Sequence, residues 1–293
     1  MAVLYACSEP ITVHTRKMDR TYFIVEGLLT DREDLDQYVK LSVSVPYFSE
    51  EGIKPVHDAE VVVSDGETEF LFTELAADGE YHAPDGFKAY LGKKYTLSVK
   101  AVVEGETHQY EAEDEMPVVG FELEKIDYLY NGNTPQKLDS LWTVLLWGKD
   151  DLSIKNNYLA CISVNGYRLP LGSCFMMEDK YFSGKKVEAF PVGLLSQTAE
   201  NLKNNGPCAK FLEEGDVLTL DGYALSPGYY QFLSCIHGDG GSTSNMPLMS
   251  TQPVNAPTNL HGDGYVLGYF AVCSTLSTSV TVTDPYQVIE YHP

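Results

Sequence analysis

Two tetrapeptides are the residues best placed to do chemistry: His237-Gly-Asp-Gly240 recurs as His261-Gly-Asp-Gly264. Two imidazoles and two carboxylates (His237, Asp239, His261, Asp263) are a donor set that can hold a divalent cation. The same four letters also resemble the glycine-rich oxyanion turn of some esterases, which requires a Gly-x-Ser-x-Gly elbow between a strand and a helix. Gly240-Gly-Ser-Thr-Ser244 comes nearest and lacks the last glycine. Both repeats are therefore read as turns that need glycine at positive φ. No metal, no cofactor and no catalytic residue is expected, and the chain is read as a non-enzyme.

The other reactive candidates are weaker. Asp31, Glu33, Asp34 and Asp36 have the composition of a calcium loop but lack the central glycine and closing Glu of an EF-hand, so a solvated acidic turn is expected. Metalloprotease, P-loop and Rossmann signatures are absent. Tyr229 and Tyr230 lie side by side on an expected helix, where adjacent residues point about 100° apart, so one is expected to face solvent and a ligand. Trp142, Trp147, Tyr128, Tyr130 and Tyr158 can offer stacking surfaces, but on strands core packing is their usual fate.

Six cysteines (Cys7, Cys161, Cys174, Cys208, Cys235, Cys273) form no CxxC pair, which argues against a zinc ribbon or a thioredoxin-like motif. Cys161 and Cys174 can bridge neighbouring strands; buried free thiols are the commoner fate. Leu4-Tyr5-Ala6-Cys7 has the form of a bacterial lipobox, with Leu three residues before the cysteine and a small residue just before it. Lipidation at Cys7 is expected. A basic and apolar leader would then precede Met1 in the natural protein.

Forty-two acids against twenty bases give a formal charge of −22, which repels phosphate backbones and excludes nucleic acid as a partner. No apolar run approaches the roughly 18 residues of a membrane-spanning helix. Twenty tyrosines, with abundant Val, Thr and Gly, favour strands over helices.

The elements follow from the hydrophobic period. Val39, Leu41, Val43 and Val45 alternate with polar residues, as do Tyr95, Leu97, Val99, Ala101 and Val103; both read as half-buried strands. Shorter runs at 22–27, 61–63, 69–73 and 108–112 complete an immunoglobulin-like β-sandwich over residues 21–117, preceded by a tether at 1–20. The acidic stretch Glu111–Val118, broken by Pro117, reads as the linker. Residues 118–293 read as an antiparallel β-barrel or sandwich. Its strands are expected at 126–130, 141–147, 158–164, 187–192, 217–224, 269–275 and 280–283. Asn165-Gly166 marks a two-residue hairpin. Two short helices are expected, at 194–205 and from Ser226-Pro227 to Cys235.

The stretch Pro253–Phe270 carries Asn255, Pro257, Asn259, Gly262, Gly264 and Gly268 ahead of Tyr269-Phe270. Proline fixes φ and asparagine closes turns on its own backbone, so this loop is expected to be rigid, with Asn255 and Asn259 supporting a binding edge. Together with Phe23-Ile-Val-Glu-Gly-Leu-Leu-Thr-Asp31, the Phe232-Leu233 pair and the cysteine start, it resembles a family of uncharacterised Bacteroidetes outer-membrane lipoproteins with a domain of unknown function, encoded beside TonB-dependent receptors. That resemblance implies a lipid-anchored, outer-membrane accessory to a TonB-dependent receptor in nutrient capture. The ligand would be a small molecule, glycan or peptide. A surface adhesin or glycan-binding module without a transporter is the alternative, and a hydrolase the third reading.

Overall fold

The computed structural model describes residues 21–45, 52–132, 140–169, 174–182, 184–197, 212–237 and 256–287. The first strands are β1 (Phe23–Thr30), β2 (Tyr38–Val43), β3 (Lys54–Pro55), β4 (Glu60–Ser64), β5 (Glu69–Glu74), β6 (Glu80–His82), β7 (Lys94–Val103) and β8 (Glu106–Glu115). There follow β9 (Phe121–Tyr130), β10 (Ser140–Asp150), β11 (Asn157–Val164), β12 (Tyr167–Arg168), β13 (Phe175–Glu178), β14 (Lys186–Gln197) and β15 (Val217–Leu225). A helix, α1 (Pro227–His237), precedes β16 (Leu260–Gly262) and β17 (Val266–Thr281).

The fold is mostly β, as the alternating sequence requires. One large mixed sheet runs in the order β12-β11-β15-β17-β1-β2-β6-β5-β4-β7-β8-β16, with β13 on β11 and β3 on β2; β14-β10-β9 form a smaller antiparallel sheet. Neither closes into a barrel.

The 16-residue strand β17 organises the molecule. Its first half pairs in parallel with β1, from Phe23↔Val266 to Thr30↔Cys273. Its second half pairs antiparallel with β15, from Ala224↔Ser274 to Val217↔Thr281. Because strand side chains alternate between faces, one strand can feed several cores. Phe270 and Val272 enter the core enclosed by β1, β2, β4, β7 and β8. Tyr269, Ala271 and Cys273 point the other way, into a cluster under α1. Leu276 and Val280 pack on the third core, between β10, β11, β14 and β15.

A strand paired on alternate edges leaves backbone groups bare on the others, and side chains fill both gaps. Beside the first half, the N–H of Phe270 donates to Asn259 Oδ1 at 3.1 Å and the Asn259 amide returns a bond to the Phe270 carbonyl at 2.8 Å. The N–H of Val272 donates to Asp114 Oδ2 at 2.9 Å. Beside the second half, Asp31 Oδ1 accepts from the N–H and hydroxyl of Thr275 at 3.0 and 2.6 Å. Buried backbone groups left unbonded each cost about 1–3 kcal/mol, so these side chains let β17 run uninterrupted between the cores.

Several elements differ from the sequence expectation. Residues 194–197 extend β14 instead of opening a helix at 194–205, and residues 198–211 lie outside the described region. Leu195 faces Trp142 and is buried, whereas Leu194 faces Thr143 and is half exposed. That alternation has period two, and pairing with β10 overrides the helical spacing. The expected linker at Glu111–Val118 is a strand as far as Glu115. Its acids alternate with Ala112, Asp114 and Met116, all three buried. The two expected strands at 269–275 and 280–283 are one. Cys161 and Cys174 are disulfide-bonded, not free: the pair Ala160↔Phe175 sets them side by side, with Cα atoms 4.5 Å apart. The Asn165-Gly166 turn forms with φ of 51° and 79°, which matches the right-handed twist of its strands.

The parallel seam depends on Gly268. Its φ is 98°, and a Cβ there would stand 1.9 Å from the Val25 carbonyl oxygen. Gly268→Ala is expected to cost about 3 kcal/mol or more in urea denaturation. Gly264→Ala, at φ 73° but in open space, is the control and costs about 1 kcal/mol. Equal small losses would show that the seam tolerates separation.

Candidate functional site

Helix α1 begins where the sequence places it. Ser226 caps it, accepting from the Tyr229 N–H at 3.3 Å, and Pro227 at the first position gives up no needed donor. Gly228 lets the helix lie close on β17, because a Cβ there would meet the Tyr269 hydroxyl at 2.3 Å. Leu233 anchors the inner face, 3% exposed, in the cluster with Leu159, Tyr223 and Tyr269.

Along the flank of this helix lies a cleft of about 450 Å³, walled by α1, the end of β1 from Glu26 to Thr30, residues 35–38, Tyr223 and Arg168. Its wall is aromatic: Tyr229 stacks on Phe232 at 6.1 Å, and Tyr269 lies 5.2 Å from the first ring and 5.3 Å from the second. Burial holds the Tyr229 and Tyr223 phenols above their ordinary pKa, so both are neutral near pH 7. Arg168 brings a positive charge. Its guanidinium lies over the Tyr223 ring at 5.2 Å and donates to the Cys161 sulfur at 2.9 Å. The disulfide therefore positions the arginine as well as tying β11 to the segment before β13.

Rings, aliphatic side chains, the Arg168 guanidinium and the carboxylates of Glu26 and Asp36 are groups that can recognise a ligand. Of the tyrosine pair at 229 and 230, Tyr229 lines the cleft; Tyr230 packs, partly buried, beside the cluster under the helix. Arg168, Tyr223 and Tyr269 were not visible as site residues in the sequence. The turn that bears Arg168 was legible, but the distance between β12 and β1 was not.

The remaining candidates are structural where they are described. His261 is exposed on β16. Asp263 accepts from the Gln109 N–H at 3.1 Å, so the second tetrapeptide pins its turn to β8. Among the described residues, no three His, Cys, Asp or Glu side chains converge for a metal. Asp239, Asn255 and Cys7 lie outside the described residues, as does the side chain of His237. The acidic turn is partnered: Asp34 with Arg32, Glu33 with Lys88, Asp36 with His82, and Asp31 with Thr275. Asn259 also donates to the Glu113 carbonyl at 2.9 Å, so it joins β8 to β17.

Beneath the helix, Asp114 is buried beside Ser226 and the Val272 N–H. Burial raises its carboxyl to about 6, against an ordinary 3.8, and the hydrogen bonds from Val272 and Ser226 only partly oppose this. This chain belongs to the family described as Domain of unknown function (DUF4249), which matches residues 8–279. No curated protein matches it.

Two outcomes follow from this network. Between pH 3.8 and about 6 the folded protein holds a proton on Asp114 that the unfolded chain releases. The stabilisation is complete below that window and is lost as pH rises through it, roughly 3 kcal/mol at about 1.4 kcal/mol per pH unit. Asp114→Asn keeps an acceptor for Val272 and removes the titration, so its urea midpoint should fall less between pH 4 and pH 7 than that of the wild type. A wild-type profile retained in the variant refutes the assignment. Asn259→Ala removes three hydrogen bonds and is expected to cost about 1–3 kcal/mol at unchanged denaturant slope; an unchanged midpoint would deny it a supporting role.

Proposed function

We propose that this DUF4249 member is a non-enzymatic binding protein of the cell envelope: a lipoprotein, anchored at Cys7 in the outer membrane, that serves a TonB-dependent receptor in nutrient capture. The observation that carries the binding role is the aromatic cleft beside α1, whose neutral phenols, apolar side chains and single guanidinium are recognition chemistry. Pockets of this size hold small ligands, and a lining drawn from β1, β12, β15, α1 and β17 fixes their orientation.

Two further features support the location. The Cys161–Cys174 disulfide suits an oxidising compartment such as the bacterial envelope, since cytosolic reductants keep most thiols free. The Leu4–Cys7 lipobox pattern supplies a lipid attachment point. Several acyl chains, each buried CH₂ contributing about 0.8 kcal/mol, would hold the protein at the membrane without a spanning helix.

Tagged protein purified from its natural host in mild detergent is expected to bring down a large β-barrel receptor. Mass spectrometry of its N-terminal peptide should find diacylglycerol on Cys7. An unmodified thiol on a chain that still carries residues 1–6 would remove the anchor, and a preparation free of any barrel protein would remove the receptor.

A further inference from the structure

The cleft beside α1 carries both signs of charge at the edge of an apolar interior. In a chain with 42 acids and 20 bases, a guanidinium with no carboxylate on it among the described residues needs an explanation. Arg32 is paired with Asp34 and Asp221. The described partners of Arg168 are instead the Tyr223 ring and the Cys161 sulfur, the residue is exposed, and among the described residues no carboxylate occupies its fork. Stacking and the sulfur contact hold the fork in place, so a planar anion can dock without first ordering the side chain. Glu26 lines the same cleft and is exposed; its cross-strand neighbour Lys40 is bonded to Glu80 at 2.7 Å.

Between these charges the helix side of the wall is apolar, with Phe232, Leu233 and Ile236. Tyr229 and Phe232, stacked on one another, line the cleft, and Ile236 is 53% exposed on the last turn of the helix, where a solvated helix would carry a polar residue. A sugar has a hydroxyl on nearly every carbon and needs a matching set of free polar side chains, whereas Gln37 is bonded to Thr30, Arg32 and Phe87 and Asp36 to His82. A short peptide with apolar side chains and free ends needs only what is present: a fork for its carboxylate, a carboxylate for its ammonium and an apolar trough.

We infer that the cleft binds short apolar peptides with a free C-terminus, the terminal carboxylate docking on Arg168 and the side chains lying along Tyr229, Phe232 and Ile236. This rests on the binding role proposed above and names the ligand class for the same cleft.

The test is calorimetric titration of the full chain with the tripeptide Leu-Leu-Phe, the same tripeptide as its C-terminal amide, and a competitor that carries its carboxylate on a polyhydroxylated body, a uronic-acid disaccharide. The free acid is expected to bind, and the amide to bind more weakly by roughly tenfold or more, as a charge-assisted pair requires. Arg168→Ala, an exposed position whose melting temperature should not move, is expected to lose the same factor for the acid and nothing for the amide. Arg168→Lys should recover part of the loss. Equal binding of acid and amide, binding of neither, or preference for the disaccharide would each overturn the inference. Co-purification with a receptor separates the two claims: a receptor retained without peptide binding sinks the ligand class alone, whereas peptide binding without any receptor sinks the accessory role and leaves the ligand class standing.

Discussion

Everything in this molecule depends on one strand being shared. β17 contributes side chains to three cores while its backbone pairs β1 for eight residues and β15 for the next eight. A strand used in this way cannot be hydrogen-bonded on both edges along its length. The chain resolves this with side chains that act as missing strands: Asn259 and Asp114 beside the first half, and Asp31 beside the second. Each presents its acceptor to an outward N–H of β17, and Asn259 also donates to Glu113 and thereby closes the end of β8 onto β17. Asn259 therefore has an energetic role that a generic loop residue could not fill.

The same arrangement accounts for the placement of the cleft. Because Phe270 and Val272 face one core, Tyr269, Ala271 and Cys273 must face the other side, and a second layer is required to cover them. Helix α1 is that layer. Eleven residues are too few to cover the sheet from β11 to β1, so among the described residues a strip along its flank is left uncovered, bordered by the end of β1 and by Arg168. The cleft is a consequence of a short helix on a wide sheet. Gly228 sets how closely that helix sits by admitting the Tyr269 hydroxyl.

Much of the fold was legible because most strands bury one face and therefore alternate. β2, β4, β5, β7 and the Asn165-Gly166 hairpin are where period and turn chemistry place them. What the sequence hid was of two kinds. An acid on the buried face breaks the alternation to the eye: Asp114 made the end of β8, from Glu111, read as a linker, although Ala112 and Met116 continue the buried period. A strand end with helix-compatible spacing, Leu194-Leu195, depends on a partner strand that sequence alone does not supply. The candidate site was legible in part for the same reason. Tyr229 could be chosen because helix geometry is local, but Arg168, Tyr223 and Tyr269 are assembled by pairings between distant segments. Asn259 was legible as a support because its chemistry is local even though its partners are not.

Binding at such a cleft is favoured by what has already been ordered. Immobilising a rotamer-rich side chain on association costs about 0.5–1.5 kcal/mol, and loop ordering costs more. Here each wall is fixed for a reason separate from any ligand. Tyr269 and Tyr223 sit in strands paired on β1 and β11. Residues 35–38 are held by Gln37, whose amide bonds Thr30, Arg32 and Phe87 and is itself buried. The disulfide sulfur and the Tyr223 ring hold the guanidinium. A ligand entering this cleft meets surfaces that need not rearrange, so its contacts contribute to affinity with little lost to ordering. Such a fixed surface suits the binding role proposed for it, and it follows from the way β17 feeds three cores.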